Sequence, residues 1–300
     1  MNTQFIRCLL AAGLAAVPGL LQAQPTAHYV PGVEGIKGAS LPPPGIYFRD
    51  YNYFYTADQL NNSTGSKIAP ADLDAFTYAN VPRVIWIADA KILGGFVGVD
   101  ALLPIVEQQA SANTPGGRFN NDTFGIGDLF AEGTLSWHLQ QFDFSGGCGL
   151  WMPTGRSPNT RGPSTLPGLG YWAPMLTAGA TWYIDQDKTW AVSALNRYEF
   201  NTKQRFTHVT PGQAYTLEWG VSKTLAKVID VGAVGYYQQK VTRDSDSTAS
   251  ARDRAAAVGP EINVAFPKEM FFVSLRYEYE FMAESRAQGS AVTLTLTKRF

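Results

Sequence analysis

The 300-residue sequence is short of the groups on which most catalytic and cofactor chemistry depends. Its two cysteines are Cys8 and Cys148, and Cys8 sits in an apolar N-terminal run, so no disulfide framework ties the rest of the chain. Its three histidines, His28, His138 and His208, are scattered, and no metal-ligand spacing, Walker pattern or GxGxxG stretch occurs. No metal or cofactor is expected. Charged residues make up 16%, against about 25% in ordinary soluble domains. The net charge of -1 carries no basic excess, which excludes a generic nucleic-acid binder. After the N-terminal run, no segment approaches the ~20 apolar residues of a membrane-spanning helix.

What is present is aromatic and strand-like. Tyr (14) and Phe (17) are frequent, Gly (29) is abundant, and apolar residues reach 45%, too many for a disordered chain. The opening "MNTQFIRCLLAAGLAAVPGLLQAQ" reads as a secretory signal over residues 1–23, with Arg7 before the apolar stretch and "LQA" before Gln24. A retained anchor helix is the other reading, against which Pro18 and the short apolar length argue. Residues 24–44 include "LPPPG", lack any period, and are expected as an irregular lead-in on the periplasmic side, tucked into the lower mouth as a constriction.

Residues 45–300 read as about twelve strands, each near the length of a tilted membrane strand. They begin with "GIYFRDYNYFY" (45–55), "NVPRVIWIA" (80–88), "KILGGFVGVDALLPIV" (91–106) and "GIGDLFAEGTLSWHL" (125–139), and they end on "GSAVTLTLTKRF" (289–300). Connections alternate in length almost throughout. Long ones at 56–79, 107–124, 153–172, 202–212 and 242–254 interleave with short ones at 89–90, 140–141, 185–188, 226–227 and 267–269. A soluble sandwich has no reason to keep that parity. A transmembrane barrel does, with short periplasmic turns and long extracellular loops. The predicted fold is therefore all-β: an antiparallel transmembrane β-barrel in outer-membrane lipid.

Within strands the faces separate with period two. Leu275, Tyr277, Tyr279 and Phe281 share one face, and Arg276, Glu278 and Glu280 the other. Aromatics near strand ends on the apolar faces, such as Trp190, Phe200 and Phe300, suit a headgroup boundary, so the apolar face is assigned to lipid. The inward set is then Arg83, Asp100, Asp128, Glu132, Arg197, Glu199, Glu218, Asp230, Glu261, Arg276, Glu278 and Glu280. These are the lumen-lining candidates. They either pair across strands and plug the bore or line a path. Ser136 and His138 share a face with Asp128 and Glu132, but no oxyanion-hole signature accompanies them, and the chain is expected not to be an enzyme.

Several stretches carry a specific likeness: "HYVPGVEGIKGASLPPPGIYF" (28–48), "WYIDQDKTWAVSALNRYEFN" (182–201), "TPGQAYTLEWGVSKTL" (210–225), "VGYYQQKVT" (234–242), "VGPEINVAFPK" (258–268), "FFVSLRYEYEF" (271–281) and "VTLTLTKRF" (292–300). Through them the chain resembles the outer-membrane family labelled MetA-pathway of phenol degradation. The resemblance implies an outer-membrane barrel of a Gram-negative bacterium, reached through the periplasm and passing small hydrophobic or aromatic solutes. A structural or adhesive barrel with a closed lumen is the alternative. The last strand also resembles the signal read by the barrel-assembly machinery, with Phe300, Leu296, Leu294 and Val292 in place and Lys298 departing from it.

Overall fold

The computed structural model describes residues 26–68, 72–114, 117–158, 165–246 and 252–300. The signal expected at 1–23 lies outside the described residues. The strands are Gly45–Leu60 (β1), Asp72–Ile92 (β2), Gly95–Leu102 (β3), Ile105–Thr114 (β4), Gly117–Ile126 (β5), Leu129–His138 (β6), Phe142–Met152 (β7), Ala173–Tyr183 (β8), Trp190–Glu199 (β9), Ala214–Leu225 (β10), Ile229–Lys240 (β11), Arg254–Phe266 (β12), Phe271–Glu284 (β13) and Ala287–Arg299 (β14).

All pairings are antiparallel. Neighbours around the wall run β1, β14, β13, β12, β11, β10, β9, β8, β7, β6, β3 and β2, and β2 returns to β1, with Gly45 opposite Ile87 and Ala57 opposite Ala75. The ring is a closed barrel of twelve staves. One end, the terminal end, holds Gly45, Phe300 and most of the tight turns; the opposite one is the loop end.

β4 and β5 stand outside that count because each continues a stave. β4 extends β3 along β2, and β5 extends β6 along β4. The first stave breaks at Leu103–Pro104, where proline offers no N–H to a neighbour, and the second at Gly127–Asp128. The Gly127 amide bonds the Pro104 carbonyl at 2.8 Å, so the two breaks sit side by side. Past them, among the described residues, β5 has no strand on its far edge. The segment 165–169 covers that edge instead: Thr165 meets Thr123 at 2.8 Å, and Pro167 packs over Gly125.

The long loops expected at 56–79 and 107–124 are therefore mostly strand. β1 runs to Leu60, β2 starts at Asp72, and β4 and β5 form a hairpin. Outward positions here are polar, Asp72, Asp74 and Gln109 among them, while Leu73, Val106, Ala110 and Ala112 are buried, which reverses the alternation by which the other strands are read. The turn expected at 89–90 lies at Leu93–Gly94, both at positive φ. The turn between β13 and β14 at the loop end is tight, so the length parity fails there.

The faces divide sharply. On β13, Tyr279 and Phe281 are 50% and 58% exposed, while Arg276, Glu278 and Glu280 are 2%, 2% and 1% exposed. Apolar side chains point out and charged ones in, the inversion of a soluble barrel. Trp190, Phe200 and Phe300 are exposed, and Lys298 reaches the Glu269 carbonyl at the terminal-end turn. Cys148 is exposed and free.

Residues 26–44 run the length of the lumen rather than stopping at one mouth. Thr26 bonds Asp253 and Arg286 at the loop end, whereas Ala39 and Ser40 bond Ser193 and Thr181 at the terminal end. No strand partners this segment, so its backbone polar groups need side-chain partners in a site shielded from water.

Candidate functional site in the lumen

The inward carboxylates supply those partners. Glu199 accepts the His28 and Tyr29 amides at 3.1 and 2.8 Å. Glu218 accepts the Tyr29 hydroxyl at 2.8 Å and the amides of Gly32 and Val33. Glu261 accepts the Ile36 amide at 2.8 Å. Arg276 donates to the Gly32 carbonyl and pairs with Glu261 at 3.0 Å. Gly32 and Gly35 have φ of 81° and 66°, and a Cβ at either would strike Glu278 or Glu261. Glycine is required there by both backbone shape and space.

Between those glycines sits Glu34. Its carboxylate takes Arg83 at 2.7 Å, Arg49 at 3.1 Å, Arg197 at 3.2 Å and the Tyr51 hydroxyl at 3.3 Å. Burial alone would raise its pKa, but the guanidiniums of Arg83, Arg197 and Arg49 hold the carboxyl down at about 2. At the loop end, His28 Nε2 lies 3.1 Å from Asp128, and Nδ1 lies 3.5 Å from Glu199. Burial works against a charge on that imidazole, yet the Asp128 and Glu199 carboxylates raise its pKa above the ordinary 6.5. Asp128 also accepts the Gly155 and Leu169 amides at 2.9 and 2.7 Å. One carboxylate at a stave break thus joins the lumen segment to the loop over the β5 edge.

Among the remaining sequence candidates, Asp100 pairs with Arg83 at 2.9 Å and Asp230 with Lys37 at 3.0 Å. Glu280 accepts the Tyr55 and Tyr236 hydroxyls, each at 2.8 Å. Arg197 Nη1 and Glu218 Oε2 are 3.8 Å apart. One oxygen of Glu132 and both of Glu278 find no hydrogen-bond partner. Ser136 is buried with its hydroxyl unpartnered, and His138 turns to Asp143 at 3.1 Å. Sequence reasoning missed Glu34, Arg49, His28 and Lys37. The signal for Glu34 was a lone acid between two glycines in "PGVEGIKG".

Described residues line at least three cavities in the lumen. One, of about 160 Å3, lies in the loop half between Tyr29, Tyr53, Phe130, Trp151, Leu169 and Met175. Two polar ones, of about 230 and 330 Å3, lie in the terminal half, walled by Lys37, Ser40, Thr134 and Ser145 in one case and by Tyr47, Ser274, Thr297 and Arg299 in the other. Among the described residues, no group of His, Cys, Asp and Glu has a metal-site arrangement.

A closed ring of twelve staves with apolar flanks and a charged interior defines an outer-membrane-type β-barrel. Residues 57–296 match the family model described as "Putative MetA-pathway of phenol degradation", and the chain belongs to that family. No curated protein matches the sequence. Among solved structures, the fold is shared with the COG4313 outer membrane channel from Pseudomonas putida F1, at 15% identity and a TM-score of 0.75, over 91% of this chain and 100% of that one. It is also similar to the beta domain of the Bordetella autotransporter Brka, at 12% identity and 0.55, over 86% and 100%. The translocator domain of the autotransporter NalP from Neisseria meningitidis matches at 14% identity and 0.50, over 88% and 91%.

Proposed function

We propose that the protein is a narrow conduit for small hydrophobic or aromatic molecules, phenol-type degradation substrates among them, across the outer membrane of a Gram-negative bacterium. The loop end faces outward, and Gly45 and Phe300 face the periplasm. The observation that carries this reading is the loop-half cavity. Its 160 Å3 is close to the ~150 Å3 at which a dry apolar cavity holds benzene, and aromatic rings form its walls. Leu166 and Pro167, from the segment over the β5 edge, close one side, so displacing that segment opens the cavity at the wall. The family's link to phenol degradation and the likeness of the fold to the Pseudomonas outer membrane channel support the same reading. The catalytic alternative has less support, because Ser136 and His138 are not joined by any described hydrogen bond. Outward Val292, Leu294 and Leu296 ahead of Phe300 offer the assembly machinery its pattern.

Uptake of phenol into vesicles holding the purified barrel tests this. Entry faster than into protein-free vesicles, with a small sugar excluded, is the expected result; equal rates would sink it. The filled lumen favours a second reading, a closed structural barrel, and that result would leave it standing.

A further inference from the structure

The three cavities meet at one side chain. Glu34 alone lines all of them. Arg83 and Arg197 line the apolar cavity and the first polar one, Tyr51 lines the apolar cavity and the second, and Arg49 lines both polar ones. Apart from Val33, which also lines the apolar cavity and the second polar one, the septum between the halves of the lumen is ionic rather than a packed apolar layer. It is one carboxylate with three guanidiniums and a phenol hydroxyl around it, fixed at 2.7 to 3.3 Å.

The geometry points to the Glu34 cluster as the gate of the conduit: with the cluster made, the ring-sized cavity is a dead end, and with it broken, all three cavities join into one passage to the terminal end. The inference rests on the conduit reading above. Three features make the cluster suited to this. Its central carboxylate is on the lumen segment, while Arg49, Tyr51, Arg83 and Arg197 are on β1, β2 and β9, so Glu34 can leave them without unpairing any stave. Gly32 and Gly35 flank it, and both already hold the left-handed backbone that only glycine adopts freely. Finally, Arg197 Nε has no hydrogen-bond partner, so that guanidinium is not saturated in the closed arrangement and has capacity for another acceptor.

Breaking a buried pair by removing one partner is strongly unfavourable to the paired state. Glu34→Gln removes the one charge that the three guanidiniums share, leaving Arg83 with Asp100, Arg197 with Glu218, and Arg49 without its carboxylate. It should raise single-channel conductance in planar bilayers and phenol flux in vesicles by at least roughly tenfold. Glu34→Asp, which keeps the charge, should stay nearer the wild type. The heat-modifiable shift on gels confirms a folded barrel. If Glu34→Gln does not fold, Arg49→Gln, which removes the most solvent-exposed of the three arms, takes its place and should raise conductance by a smaller factor. A barrel lacking 26–42 separates the two ideas. If it conducts while a folded Glu34→Gln, or in its place Arg49→Gln, stays at wild-type conductance, the gate is wrong and the conduit stands. If it conducts nothing, both fall.

Discussion

The two halves of the lumen are built from the same staves with the same alternation, yet they hold different chemistry. Inward positions of the loop half carry Tyr53, Phe130, Trp151 and Met175; those of the terminal half carry Thr134, Ser145, Thr295 and Thr297. Period two assigns a side chain to the inside and says nothing of depth. The divider comes from neither half of the wall but from the segment that threads both. Bore in this barrel is thus set by what lies in it more than by strand number, although twelve staves fall between the filled eight and the open sixteen.

Removing residues 26–42 should erase the difference most completely. Glu199, Glu218 and Glu261 lose their amide donors, water enters, and conductance should appear where the intact barrel gives little; planar bilayers read it, and unchanged current would show that the wall itself is closed.

Next in size is a charge placed on either face of β14. Leu294→Arg enters lipid and should destabilise by about 2–4 kcal/mol, whereas Thr295→Arg enters the polar half of the lumen and should cost much less. Midpoints of urea unfolding for the two variants decide it, and equal losses would invalidate the assignment of faces.

Trp151→Leu narrows the comparison to the apolar cavity. His28 stacks on Trp151 at 5.3 Å and Phe130 packs against it at 4.6 Å. The variant should lower the preference for phenol over a non-aromatic alcohol of similar size by roughly two- to tenfold, the worth of one aromatic pairing. Paired vesicle uptake rates measure that ratio.

The smallest effect is that of pH on the two anchors of the segment. The pKa of His28 is raised above 6.5, so its contribution is fully present below that value and is lost as pH rises through the raised one. Glu34 is lowered from 4.5 to about 2, so its contribution is fully present above 4.5 and is lost as pH falls towards 2. Relative to the intrinsic, base-catalysed exchange rate, protection of the amides around residues 28–29 should fall at alkaline pH while that around 33–36 does not; the same response at both places would show that the anchors are not independent.

How far the sequence could be read depended on whether a residue faced two unlike media. β7 to β14 separate lipid from lumen along most of their length, and their bounds fall within a residue or two of the alternating runs. β4 turns Gln109 outward and buries Val106, Ala110 and Ala112, the reverse of a lipid-facing strand, and its polar "EQQASANT", like the "RFNNDTF" of β5, looks like loop. Of the twelve inward candidates, eleven are buried and Asp230 is half-buried against Lys37; all twelve followed from period two. Their partners did not, because amides of a Gly- and Pro-rich stretch carry no sequence mark, and Glu34 meets Arg83 and Arg197 only through the closure of a ring whose contacts span 49 and 163 positions.

The course of residues 26–44 also sets an order of events. Thr26 sits at the loop end and Gly45 at the terminal end, while β1 pairs on one side with β2 and on the other with β14, the last strand made. A hoop closed first would have to be threaded afterwards by a stretch bearing Glu34, Lys37 and three consecutive prolines. A hoop closed last simply wraps it. The early residues act as a mandrel: Glu199 on β9, Glu218 on β10 and Glu261 on β12 are each met by different amides of this one segment, and the seam between β1 and β14 then shuts around a shape already set.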